Sequence, residues 1–124
     1  MPEMIIPLSG AADSPRTART AVSGFCSSQH VAAWLITDVV LAVSELVTNA
    51  VVHGRPPIEL SATRADDRLR IGVSDAEPQF APAPALGVLA VGGRGLRIVA
   101  ALADETGVDC HPTTKTVWAS WRLT

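Results

Sequence analysis

The run from Leu35 to Val52 constrains this chain more than any other segment: it holds no proline or glycine, has Asp38 near its start, and ends at Gly54 and Pro56. That length and punctuation specify a helix. At about 100° per residue, Val39, Val43, Leu46, Val47 and Ala50 fall on one side, the core face. A helix with such a face needs a second layer to bury it, and the next segment supplies one. Ile58, Leu60 and Ala62 alternate with Glu59, Ser61 and Thr63; after the turn Ala65-Asp66-Asp67, Leu69, Ile71 and Val73 alternate with Arg70, Gly72 and Ser74. This is a β-hairpin with one apolar face.

The remaining elements follow from shorter signals. Met4 to Leu8 reads as a first strand, closed by Pro7, Ser9 and Gly10. Ser14 before Pro15 marks a helix start, the hydroxyl capping free N–H groups, and Ala18, Val22 and Phe25 carry that helix to about Ser28. Ala76 to Gly92, with Pro78, Pro82 and Pro84, has no period and reads as a long loop or lid. Leu96, Val99, Ala100 and Ala103 predict a third helix after a glycine-rich turn, and Val108, Cys110, Val117, Ala119, Trp121 and Leu123 a last pair of strands. The order β-α-α-β-β-loop-α-β-β predicts an α+β two-layer sandwich. Its mostly antiparallel, mixed sheet of about five strands is covered on one face by three helices.

Composition narrows the function classes. With 124 residues, 48% hydrophobic, the chain fits one domain spanning residues 1–124. A net charge of −2 argues against a charge-driven nucleic-acid binder. The longest uncharged stretch, Thr20 to Thr37, contains Gly24, Gln29, His30 and several hydroxyls, so neither a signal peptide nor a membrane span is expected. Cys26 and Cys110 are the only cysteines and lack metal spacing, which points away from a disulfide framework or zinc site and toward a cytoplasmic protein.

Three features carry chemistry. Glu45 and Asn49, one turn apart and opposite the core face, project side by side between Leu41 and Val52; they read either as a solvated helix face or as the wall of a pocket. Gly92-Gly93-Arg94-Gly95-Leu96 leads into a helix, whose free N–H groups and dipole favour an anion; a flexible linker is the other reading. Asp75 closes the strand Leu69 to Val73, as an ordinary strand-ending aspartate or as an acceptor for a ligand amine.

Together and in order, Glu45-Leu46-Val47-Thr48-Asn49-Ala50-Val51-Val52-His53-Gly54, Val73-Ser74-Asp75 and Gly93-Arg94-Gly95-Leu96 resemble the N box and two glycine boxes of the ATPase family of gyrase, Hsp90, histidine kinases and MutL. Within that family the chain looks like the short, stand-alone branch of anti-sigma factors that are serine/threonine protein kinases. The resemblance runs from about Pro15-Arg16 to Lys115-Thr116-Val117-Trp118. It implies that Glu45 is the general base, that Asn49 ligates Mg2+, and that Asp75 accepts from the adenine of ATP. It further implies that Gly93 and Gly95 present N–H groups to phosphates, with Arg94 as charge partner and Leu96 as anchor. Thr116 resembles the strand hydroxyl behind the adenine contact, or is a plain surface threonine. His53 fits the pattern, in a place where helix-end histidines bond nearby carbonyls.

The chain departs from that pattern after Asp75, where Ala76-Glu77-Pro78-Gln79 replaces a segment that normally carries two glycines; Glu77 and Pro78 are expected to reshape the base pocket. Two functions follow. One is an ATP- and Mg2+-dependent kinase that phosphorylates an anti-sigma antagonist protein and sequesters a sigma factor. The other is a protein-binding regulatory module with weak or no nucleotide binding. A full sensor histidine kinase is not expected at this length, and a homodimer is compatible with the family.

Overall fold

The computed structural model describes residues 1–77 and 93–124, with side chains at 1–77 and 95–124. Its elements are β1 (Glu3–Leu8), α1 (Ser14–Ser28), α2 (Ala33–His53), β2 (Ile58–Ala65), β3 (Arg68–Asp75), α3 (Gly93–Leu102), β4 (Glu105–Cys110) and β5 (Lys115–Arg122). The strands form one sheet in the order β1-β2-β3-β5-β4. Every pairing is antiparallel, so the sheet contains no parallel pair among the described residues.

Period-two alternation decides which face is covered. Ile58, Leu60 and Ala62 of β2, Leu69, Ile71 and Val73 of β3, and Val117, Ala119 and Trp121 of β5 share one core with the helices. Against them lie Ala18, Val22 and Cys26 of α1, the expected face of α2 from Val39 to Ala50, and Leu96 and Val99 of α3. The helices therefore cover one face of the sheet. On the other, the Arg70 guanidinium stacks 4.5 Å from the centre of the Trp118 ring and pairs with Asp109 at 2.8 Å.

Long and apolar enough on composition alone to cross a membrane, α2 instead buries Leu35, Val39, Ala42, Val43, Leu46, Val47 and Ala50 inside the fold. It is the central core helix. The start of α1 differs from the sequence expectation. Ser14 is itself the first helical residue, and Asp13 at the N-cap makes no side-chain capping bond. The buried Ser14 hydroxyl instead accepts the Gly10 N–H at 3.1 Å and lies 3.2 Å from Ser9 Oγ, so it organises the β1–α1 turn. The glycine-rich turn is also absorbed: Gly93 and Gly95 belong to the first turn of α3 itself. Most of the expected loop from Ala76 to Gly92 lies outside the described residues.

Candidate functional site

Because one side of α2 is committed to the core, its other side is free to face α3. Glu45, Thr48, Asn49, Val52 and His53 line a cleft of about 140 Å³ there, together with Gly95. The spacings of three and four residues explain the grouping, since such positions stack on one helix face. Glu45 and Asn49 are half-buried, and the flanking Leu41 and Val52 are exposed. The sequence-predicted pair thus lines a shallow cleft whose other α2 residues, Thr48, Val52 and His53, are exposed.

Fixed from below by Leu96 and Val99, each 1% exposed, α3 brings the Gly95 backbone against Glu45. A Cβ on Gly95 would sit 3.0 Å from Glu45 Oε2. A glycine at this position leaves the space that the carboxylate occupies. Gly93 and Arg94 lie on the backbone of the same first turn, while the Arg94 side chain is outside the described part of the structure. Sequence reasoning missed Thr48, although its position three residues after Glu45 already placed it on this face. His53 is exposed, and its side chain bonds no carbonyl among the described residues; it lines the cleft instead.

Asp75, at the end of β3, is 2% exposed and lies against Gly54, the C-cap of α2. Its Oδ1 accepts the backbone N–H of Glu77 at 2.7 Å and of Arg55 at 3.4 Å. The Arg55 and Glu77 side chains pair at 2.9 Å on the surface above. Among the described residues, only His30, Asp66 and Gly10 have φ in the left-handed region. The backbone at Ala76 and Glu77 therefore turns without the positive φ that a glycine would supply, and Glu77 uses its amide to hold Asp75.

Thr116 is not brought to this site. It pairs with Ser74 across the β3–β5 ladder, and alternation puts both on the face away from the helices. The residue opposite Asp75 is Lys115, whose Nζ lies 3.9 Å from Asp75 Oδ2. Lys115 was not among the sequence candidates.

The donor set suits magnesium. The described residues contain no cluster of three His, Cys, Asp or Glu side chains able to enclose a metal. Mg2+ bound with phosphates needs only one or two protein oxygens and keeps its waters, which the half-buried Asn49 amide oxygen beside Glu45 can supply.

Residues 8–121 match the histidine kinase-like ATPase domain. Nothing matches among curated protein sequences. The structure of the RsbU and RsbW domains of Rv1364c from Mycobacterium tuberculosis is 26% identical, with a TM-score of 0.75 over 99% of this chain. This chain covers 33% of that one, about a third of its length. The SiaB–SiaC complex from Pseudomonas aeruginosa shares the fold, with a TM-score of 0.64 at 10% identity over 94% of this chain and 88% of that one. So does the histidine kinase domain of a blue-light activated kinase from Erythrobacter litoralis, with a TM-score of 0.58 at 24% identity over 72% of this chain and 45% of that one. With the match running from the end of β1 to the end of β5, the chain belongs to the histidine kinase-like ATPase family.

Proposed function

We propose that the chain binds ATP with Mg2+ between α2 and α3 and acts as a serine/threonine kinase on an anti-sigma antagonist protein, otherwise sequestering a sigma factor. The observation that carries this reading is the grouping of Glu45, Asn49 and the Gly95 backbone on one cleft, on a fold shared with an RsbW domain. SiaB, on the same fold, was solved in a complex with SiaC, which supports a protein partner for this scaffold. A cytoplasmic setting and a homodimer belong to the same reading.

Each residue has a task set by its position. Asp75 accepts from the adenine amino group. The N–H groups of Gly93 and Gly95, in the first turn of α3 where backbone donors lack helical partners, face the phosphates. Asn49 would hold the magnesium, which when bound would supply charge neutralisation for phosphoryl transfer. Glu45 accepts the proton of the attacking serine or threonine hydroxyl as its oxygen bonds to phosphorus and the bond to the leaving diphosphate breaks. Leu96 holds α3 in place.

A protein-binding module with weak or no nucleotide binding is the second reading, favoured by the segment after Asp75, where Ala76 and Glu77 replace a glycine and turn without positive φ. Calorimetric titration with ATP, with and without Mg2+, separates the two. Tight Mg2+-dependent binding supports the kinase reading, and weak or no binding supports the module.

A further inference from the structure

Asp75 and Lys115 stand directly opposite each other at the ends of β3 and β5. Directly opposite side chains in an antiparallel pair share a face and lie close together. The rest of this face is apolar, with Val73 opposite Val117 and Ile71 opposite Ala119. An ammonium 12% exposed beside a carboxylate 2% exposed is therefore a polar island where the sheet meets the end of α2. The two oxygens of Asp75 are used differently: Oδ1 takes the Arg55 and Glu77 amides, whereas Oδ2 faces Lys115. At 3.9 Å the contact is longer than a hydrogen bond, about 2.7–3.2 Å for N–H···O, so it neutralises charge without consuming the donors of Lys115 along that line.

We propose that Lys115 is a base-reading residue, donating to the ring nitrogen N1 of adenine next to the amino group that Asp75 accepts. This rests on the ATP reading given above. A donor beside an acceptor is complementary to the adenine edge, which presents a ring acceptor beside an amino donor. The lysine thereby does directly what a strand hydroxyl at Thr116 cannot do from the opposite face of the sheet. Charge-assisted hydrogen bonds are the stronger kind, and losing one that is buried costs on the order of tenfold or more in binding.

The test is calorimetric titration of the full chain, with Mg2+, using ATP and 1-deaza-ATP, in which a C–H replaces the N1 acceptor. The parent is expected to bind ATP about tenfold or more tightly than 1-deaza-ATP. Lys115→Met keeps the aliphatic stem and should bind the two nucleotides equally. Lys115→Gln restores an N–H donor and should recover part of the preference. Equal binding of both nucleotides by the parent overturns the role of Lys115 while leaving the ATP reading intact; no binding of either overturns the ATP reading and the role with it. A purely structural lysine would lower the melting temperature and weaken both nucleotides alike on substitution by Met, leaving the ratio unchanged, and that result also overturns the proposal. Should Lys115→Met fail to fold, the parent ratio and Lys115→Gln still decide.

Discussion

Gly54 and Asp75 occupy neighbouring space that only a glycine leaves open: a Cβ on Gly54 would lie 2.5 Å from Asp75 Cγ and 2.6 Å from its Oδ2. The C-cap residue of α2 thus locks against the residue that ends β3.

Gly54 has φ −95° and ψ −166°, ordinary extended backbone, so Gly54→Ala carries no strain in φ and its whole effect comes from crowding. Overpacking of this kind costs about 1–3 kcal/mol. Denaturant unfolding should show a loss in that range, and ATP affinity should fall because Asp75 must move. A variant with parental stability and parental affinity would show that the contact relaxes freely.

Leu96 is the main apolar pin of α3, a short helix that lies over α2. Leu96→Ala should cost about 2–5 kcal/mol. Hydrogen exchange should rise first in α3, since this helix gains little stability from its length alone. Equal protection of α3 amides in both proteins would contradict the anchoring role.

The sheet and the central helix were legible because their signals are local. Periodicity alone placed Val39 through Ala50 in the core, and alternation placed Ile58 through Val73. Ser14-Pro15 does mark the start of α1, but the capping role of its hydroxyl was not legible, because it had two possible clients, the helix N–H groups and the Gly10 N–H, and only the tertiary path of the β1–α1 turn selects the second. Thr116 shows how parity decides a site. Val117, Ala119 and Trp121 already implied that Thr116 faces away and Lys115 faces inward, since a one-residue offset in a strand exchanges faces. What no local pattern supplies is the partner: that Lys115 meets Asp75 depends on the β3–β5 register. The Glu45 and Asn49 cleft was readable as a helix face, but its closing wall, Gly95, comes from packing of Leu96 and Val99.

Cys26 is 0% exposed and burial pushes its thiol up from about 9 to about 11, whereas Cys110 is exposed. Near pH 8 a thiol reagent should label Cys110 quickly and Cys26 only at the rate of unfolding. The raised value has a signed consequence for stability. Below about pH 9 both states hold the Cys26 proton and its contribution is complete; between about pH 9 and 11 the unfolded state ionises first, so stability is lost as pH rises. Cys26→Ala should flatten that part of the stability profile, and an unchanged slope would assign it to other groups.

Asn49→Ala should remove the Mg2+-dependent part of ATP binding and shift stability by no more than about 0.5 kcal/mol, because Asn49 lies off the core face. Titration with ATP in the presence and absence of Mg2+ reads the first quantity and denaturant unfolding the second, each against the parent. Equal Mg2+-dependent affinity in the two proteins would show that Asn49 does not hold the metal.

Glu45 separates catalysis from binding. Its carboxylate sits half-buried in the cleft wall against the Gly95 backbone, where it can meet an incoming hydroxyl. Glu45→Gln keeps the size and a polar end but cannot take a proton. Phosphoryl transfer to an antagonist protein should therefore fall by about 10²- to 10⁴-fold. ATP affinity should change little, because in the proposed reading the base contacts the nucleophile, while Asn49 holds the magnesium and the first turn of α3 faces the phosphates. The measurement is radiolabel transfer from ATP to a candidate antagonist, run beside calorimetric ATP binding on both proteins. Active parent and equally active variant would remove Glu45 from the chemistry. A parent that transfers nothing yet still binds a sigma factor would favour the binding-module reading.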